Sequence, residues 1–220
     1  MGKRGPKPKG NVKIRWSPNF AYAIGLLASD GCLSSDGRHI DLTSNDIDQL
    51  KNFNKALNIN MRITPKSSGR GYTSYHIQFS DVLFYRFLYK IGMTTVKSKT
   101  LGRLEVPDKY FFDFLRGCYD GDGCFYGYWD PRWKSSYMFY LTFVSASEEY
   151  LLWLSYKIYK LTGLEKKPVI SKNNRVHDLR FAKSASLELL RKMYYTHDVV
   201  CLGRKKDKII KLLNLVGESI

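Results

Sequence analysis

One pattern occurs twice in this chain, and it restricts the fold more than any other feature. Residues 20–33 read Phe-Ala-Tyr-Ala-Ile-Gly-Leu-Leu-Ala-Ser-Asp-Gly-Cys-Leu, and residues 112–125 read Phe-Asp-Phe-Leu-Arg-Gly-Cys-Tyr-Asp-Gly-Asp-Gly-Cys-Phe. Gly25 aligns with Gly117, Asp30 with Asp122, Gly31 with Gly123 and Cys32 with Cys124, since 117 − 25 and 122 − 30 both give 92. Each copy reads as an apolar helix stopped by an acid and a glycine. Gly25 and Ser29 stand four residues apart, as do Gly117 and Gly121, which puts each pair on one helix face. A glycine inside a helix costs roughly 0.8–1 kcal/mol relative to alanine, so it needs a packing or functional reason. A face of small residues lets a second helix come very close. If the two faces pack on each other, Asp30 lies near Asp122 at one end of the interface. Two carboxylates with nothing between them repel, so a proton or a cation is expected there. A hard divalent ion such as Mg²⁺ suits oxygen ligands and retained water. A single Asp-Gly would read as a helix stop before a turn; two copies, each opening a similar downstream pattern, point to function.

The downstream pattern has period two. Ser34–Gly37 reads as a hairpin turn, and in residues 39–43 Ile40 and Leu42 point one way, with His39, Asp41 and Thr43 opposite. Ser44 or Asn45 then caps a helix to about Leu57. Met61–Lys66 alternates, with Arg62 and Thr64 opposite Met61 and Ile63, and residues 75–79 alternate apolar Tyr75, Ile77 and Phe79 with His76 and Gln78. A helix over 81–91 follows. The second half repeats this order. Residues 140–144 resemble 39–43, with Leu141 and Phe143 on the core side, and residues 177–181 match 75–79 at an offset of 102. Helices are expected over 148–161 and 184–195, with an extra C-terminal helix over 205–215. Upstream, Ser17 and Pro18 read as the N-cap and first position of the first motif helix. The chain therefore divides into a basic arm (1–14), a first repeat (15–104) and a second repeat with its extra helix (105–220). The class is α+β, each repeat αββαββα, with antiparallel sheets apolar on one face and polar on the other.

With 36 Lys and Arg against 20 Asp and Glu, the formal net charge is +16. That balance implies an anionic partner, nucleic acid first among them. The arm, rich in glycine, proline and lysine, reads as a flexible basic segment that lies along phosphates or enters a minor groove, or as a disordered solubilising tail. Cys32, Cys118, Cys124 and Cys201 form no Cys-x-x-Cys pair, which argues against zinc and for thiols in a reducing compartment. No apolar run reaches the length of a membrane span and no signal peptide is visible. An intracellular location, in cytoplasm, nucleoid or organelle matrix, is expected.

Both repeated segments resemble the LAGLIDADG motif of the homing endonuclease family, the nine-residue core mapping to Ala23–Gly31 and Leu115–Gly123. The resemblance implies a pseudo-two-fold fold, with the motif helices at its centre and the sheets forming a saddle that grips duplex DNA. A single chain of this type acts as a pseudo-dimeric monomer on a long asymmetric site. It implies Asp30 and Asp122 as catalytic acids binding Mg²⁺ or Mn²⁺, hydrolysis of one phosphodiester on each strand, and short 3′ overhangs. Copy one departs from the family at Ala28, where copy two has Asp120. Lys97 resembles the family's active-site lysine, and its counterpart is Lys205 or Arg204. Asn45 matches a polar, water-positioning place where the second half puts Ala146, so the two strand cuts are expected to differ in rate. Strand parity gives the expected base-facing set: His39, Asp41, Thr43, Arg62, Thr64, His76 and Gln78 in the first half, and Tyr140, Thr142, Asp178 and Arg180 in the second. Trp129, Arg132, Trp133 and Lys134 join them from the long hairpin. Lys66, Arg70, Lys172 and Arg175 are expected on phosphates. Two other readings stay open: a maturase that binds its host intron RNA, and a DNA-binding regulator that does not cleave.

Overall fold

The computed structural model describes residues 10–67, 73–167, 169–170 and 176–220. The arm up to residue 9, and Arg70, Lys172 and Arg175, lie outside them. Helix α1 (Pro18–Asp30) starts where Ser17 Oγ accepts the Phe20 N–H and ends at Gly31. The chain passes straight into β1 (Gly31–Leu33), turns, and returns as β2 (His39–Ser44). Helix α2 (Ile47–Leu57) follows, then β3 (Thr64–Ser67), β4 (Thr73–Ser80), α3 (Val82–Lys90) and the short α4 (Lys97–Thr100). The second half opens with α5 (Phe111–Asp122), entered through a 3₁₀ turn. It continues with β5 (Cys124–Trp129), β6 (Tyr137–Ser145), α6 (Glu148–Thr162), β7 (Val169–Ile170), β8 (His177–Ala182) and α7 (Lys183–Met193), and ends with the added α8 (Gly203–Asn214). Each half contributes one antiparallel sheet of the same order, β1-β2-β4-β3 and β5-β6-β8-β7. The α+β class with two antiparallel sheets is as the sequence pattern implies. Among the described residues no helix is long and apolar enough to cross a membrane.

Two local boundaries differ from expectation. Asp46, not Ser44 or Asn45, caps α2: its carboxylate accepts the Asp48 N–H, while Ser44 Oγ accepts the Asp46 N–H. The strand expected over 61–66 begins only at Thr64, because Met61 is already engaged: Asn54 accepts its N–H and donates to its carbonyl. Pro65, which has no N–H to give a ladder, sits on this edge strand, where proline is tolerated.

Helices α1 and α5 form the axis of the molecule, and their contact explains the glycines. A methyl group on Gly25 would overlap the Phe114 carbonyl oxygen, and one on Gly117 the Tyr22 carbonyl oxygen. A Cβ on Gly117 would lie 3.0 Å from Gly25 Cα. The two backbones therefore touch, which only glycine at both positions permits. Around this contact α1 is buried on all sides from Phe20 to Ala28. Fully buried Arg116 pairs with Asp113 of its own helix at 2.8 Å and ties α5 to the end of α7 and the chain beyond it, donating to the Met193 carbonyl at 2.5 Å and the Val200 carbonyl at 3.0 Å.

Candidate active site and nucleic-acid interface

Because α1 and α5 cross at their glycines and end in register, Asp30 and Asp122 come together at one end of the axis. Burial raises the pKa of Asp30, and the negative charge of Asp122 raises it further; Gln49, Lys97 and Lys205 oppose the rise. Burial likewise raises Asp122, with Lys97 and Lys205 opposing. The two acids thus share one electrostatic site with two lysines.

The lysines occupy equivalent places. The last carbonyls of a helix lack intrahelical partners and carry the negative end of its dipole, and neither α1 nor α5 has a basic residue in its own last turn. Lys97 reaches in from α4 and donates to the carbonyls of Ala28, at 2.8 Å, and Ser29. Lys205 reaches in from α8 and donates to Tyr119 (2.7 Å), Gly121 (2.9 Å) and Gly123 (2.8 Å). Ser29 and Gly121 are equivalent positions, 92 apart. Burial lowers the pKa of each lysine, and nearby carboxylates resist the change. Arg204, the other candidate partner of Lys97, instead pairs with Asp46.

A polar cavity of about 850 Å³ opens beside Asp30, lined among others by Asn45, Asp46, Gln49, Gly121 and Arg204. Gln49, which the sequence pattern did not single out, donates from Nε2 to Asp30 Oδ2 at 2.6 Å and accepts from Ser44 Oγ at 3.1 Å. Its only sequence signal is its place one turn inside α2, facing the end of α1. Asp120, buried in α5, accepts on Oδ2 from Tyr22 (2.7 Å) and from the Leu202 N–H (2.6 Å), and so holds the start of α8 that carries Lys205. Its Oδ1 has no partner among the described residues, and burial pushes its pKa up to about 6.

The exposed face of the first sheet carries the expected residues in rows. Cys32, Asp41 and Gln78 lie across one row; Thr43, His76 and Thr64 lie across the next; His39 faces Ser80. Asp41 is the hub, bonded to His76 Nδ1 (2.6 Å), Thr43 (2.7 Å) and Lys66 (3.3 Å). Burial raises its pKa, but these partners, Thr43 foremost, hold it below the usual carboxylate range. Its acceptor capacity is thus largely spent within the sheet, and Lys66, expected on a phosphate, turns partly toward it. His39 pairs with Asp36. Arg62 precedes β3 and lies off the paired sheet.

The second sheet is built from aromatics. Tyr126 and Tyr140 stack at 5.4 Å, Tyr128 and Tyr140 at 6.0 Å, and Arg180 lies 5.9 Å from the centroids of both Tyr126 and Tyr140 while binding Asp178 at 3.0 Å. Tyr126 and Tyr128 were missed, although their alternation with Phe125 is visible in the sequence. Thr142 has the expected parity but is 4% exposed, sunk between Cys124 and Arg180 in its row. Trp129 has the opposite parity: it faces Tyr137, edge to ring, on the side that buries Phe125 and Phe139. In the hairpin tip Arg132 folds back onto Asp130, while Trp133 and Lys134 stand exposed.

No protein-family model matches the chain, and no curated protein resembles it in sequence. Solved structures do share its fold. One is the I-LtrWI LAGLIDADG homing endonuclease bound to target DNA (TM-score 0.57, 12% identity, 91% of each chain covered). A second is I-DmoI in complex with DNA and Ca (TM-score 0.53, 15% identity, 82% of this chain and 91% of that one). A third is full-length DUF199/WhiA from Thermatoga maritima (TM-score 0.57, 14% identity, 94% of this chain). The present chain covers 64% of that WhiA chain's length. The chain has the LAGLIDADG homing-endonuclease fold.

Proposed function

We propose that this protein is a site-specific endonuclease that hydrolyses phosphodiesters of duplex DNA with the help of a divalent metal. One observation carries the reading: two carboxylates from touching helices share a half-buried site with two lysines, and a polar sheet begins at each acid. A shared fold alone would not assign an activity, and WhiA has the same fold.

The donor chemistry fits a hard divalent cation. Among the described residues no three His, Cys, Asp or Glu side chains converge on one point, so the chain offers Asp30 and Asp122 and little else. That suits Mg²⁺ or Mn²⁺, which take one or two carboxylates plus water and substrate phosphate. When bound, such an ion would orient or ionise water and stabilise oxygens bearing charge. The chain's own part is positioning. Gln49 fixes the Asp30 carboxylate, and Lys97 and Lys205 place positive charge where the attacked phosphate gains negative charge. In the reaction a water oxygen bonds to phosphorus, the bond from phosphorus to the leaving sugar oxygen breaks, and that oxygen takes up a proton. Cuts on the two strands across the axis would leave short 3′ overhangs. The two sheets would read a long asymmetric site, the first by hydrogen bonds and the second by aromatic and arginine contacts. One monomer would suffice.

The test uses a pool of supercoiled plasmids carrying a randomised insert, incubated with Mg²⁺ or with EDTA. Mg²⁺-dependent breaks recurring at one motif, absent with the Asp30→Asn/Asp122→Asn protein, are expected. Tight binding without breaks would reassign the protein to a non-cleaving DNA-binding role, and preferential binding of structured intron RNA would favour a maturase.

A further inference from the structure

The hydrogen-bond hub on the first sheet has no counterpart on the second, so the fold does not require it. Cys32 pairs with Asp41 and Cys124 with Thr142, which makes Thr142 the equivalent of Asp41. The match of 177–181 to 75–79 makes Asp178 the equivalent of His76, and Asp178 binds Arg180 instead. A carboxylate sunk into a sheet face costs desolvation, and here that carboxylate serves three neighbours. Asp41 Oδ1 accepts from Thr43 (2.7 Å) and Lys66 (3.3 Å), and Lys66 also donates to Thr43 at 3.0 Å. Asp41 Oδ2 meets His76 Nδ1 at 2.6 Å.

These contacts fix the form of the imidazole. Burial opposes the charge on Asp41, but Thr43, His76 and Lys66 outweigh it and keep the carboxyl below its usual range. An ionised carboxylate only accepts, so the shared proton belongs to His76 Nδ1. The other charged or titratable groups on the strands beside this pair are Lys66 on β3 and, past Asp41, Cys32 on β1. Lys66 already supplies a positive charge to Asp41, so near neutral pH the imidazole joins as a neutral donor and Nε2 keeps its lone pair. His76 lies on the polar face of the sheet, opposite Ile77 and Phe79, with 17% of its side chain exposed. Its Nε2 has no partner among the described residues.

We infer that His76 determines specificity by reading an amino-bearing base, adenine or cytosine, in the major groove, and that Asp41 is the positioning residue that sets its tautomer. This rests on the first sheet being a DNA-reading surface and does not depend on cleavage. Adenine N6 and cytosine N4 are donors in the major groove, whereas guanine O6 and thymine O4 are acceptors. A lone pair on Nε2 bonds to the first two and repels the others. Protonation of Nε2 in mild acid turns the same atom into a donor, and the preference reverses to guanine or thymine. Asp41, expected to contact bases, acts through His76.

The test captures a randomised duplex pool on the immobilised full-length protein without divalent metal, at about pH 7.5 and about pH 5.5, and sequences the bound fraction. One position should favour adenine or cytosine on one strand at the higher pH, by about tenfold, and turn to guanine or thymine at the lower. Ratios within one pool are compared, so the general rise of DNA affinity in acid cancels. His76→Ala should erase the preference at that position alone, which assigns the contact. His76→Gln, which offers a donor and an acceptor at any pH, should remove its pH dependence. Asp41→Asn, whose amide accepts or donates, enforces neither tautomer and should relax the preference at the higher pH. Four results would each overturn the inference: no position that responds to His76→Ala, a responding position that favours guanine or thymine at the higher pH, one indifferent to pH, or an Asp41→Asn protein with its preference intact. Absence of any sequence-selective binding would defeat the site-specific reading and this inference together, whereas selective binding without cleavage would defeat only the nuclease reading.

Discussion

The contact between α1 and α5 allows a sharp test with a single methyl group. In Gly117→Ala the new Cβ overlaps the Tyr22 carbonyl oxygen and stands 3.0 Å from both Gly25 Cα and Leu26 N. All three neighbours are backbone, so no side chain can rotate away. Carbon contacts are comfortable near 3.5–4.0 Å, so the helices must part by on the order of 1 Å. Overpacking of this kind costs about 1–3 kcal/mol, against a gain of about 0.8–1 kcal/mol from replacing a helical glycine. The net expectation is a loss of up to about 2 kcal/mol. Gly203→Ala is the control: Gly203 opens α8, and nothing lies within 4 Å of its added methyl group. That variant should gain about 0.4–1 kcal/mol by restricting the unfolded chain. Urea unfolding with unchanged slope reads both values. Because parting the helices also moves Asp30 relative to Asp122, nicking by Gly117→Ala should fall by about a hundredfold. A Gly117→Ala protein as stable as the parent, or the same sign for both variants, would refute the reasoning.

Three further predictions concern charge. Asp122→Asn should melt at a higher temperature than the parent at pH 7.5 without divalent metal, because it ends the repulsion with Asp30; Mg²⁺ should raise the melting temperature of the parent and not of the variant, as read by differential scanning calorimetry. For Asp120, with a folded pKa of about 6 against an ordinary 3.8, the folded state holds the proton longer than the unfolded one. Its contribution is complete below pH 4 and is lost as pH rises through 6, a fall of about 3 kcal/mol; urea midpoints from pH 4 to 7 should decline in the parent and stay flatter in Asp120→Asn. Removing residues 1–9 deletes Lys3, Arg4, Lys7 and Lys9 but keeps the backbone N–H bonds of Asn11 (2.6 Å) and Val12 (2.9 Å) to Asp81. The truncated protein should fold, and the log–log salt slope of its DNA binding should shrink by up to about 3.6, at 0.9 for each phosphate no longer neutralised; an unchanged slope would mean the arm does not touch DNA.

Much of this was legible in the sequence, for identifiable reasons. The repeated Gly-x-x-x-small spacing fixes a face-to-face helix contact, and that contact alone brings Asp30 to Asp122. Strand parity placed Asp41, Thr43, His76 and Gln78 on one face because Ile40, Leu42, Ile77 and Phe79 must go to the other. Parity played no part at Trp129, which entered with the long hairpin; the register sets it on the side of Phe125, where it is 53% exposed. Parity gave no hint that Asp41 is consumed by its neighbours, since a hydrogen-bond hub depends on side chains from three strands at once. Gln49 was invisible for the same reason: its partner, Asp30, lies 19 residues away on another helix. Lys97 could be proposed as a lysine near the site, but its seat on the carbonyls of α1 follows from the helix ending there.

The central site is costly to the fold, and the cost is organised. Two carboxylates are pushed toward higher pKa by partial desolvation and, at Asp30, by the neighbouring charge. Two lysines are pushed lower by the same burial. Neutral forms of all four groups would relieve the strain and abolish the chemistry. The lysines are held in the charged form by the carbonyl ends of α1 and α5, which are fixed parts of the helices and cannot move away. Among the described residues no comparable fixed donor set surrounds the acids: Asp30 receives Gln49, and the matching position beside Asp122 carries Tyr150, turned toward Cys118. The unmet demand for positive charge is therefore greatest between the two acids. A divalent cation arriving with a phosphate answers it there, which is why metal binding should register in stability as well as in cleavage.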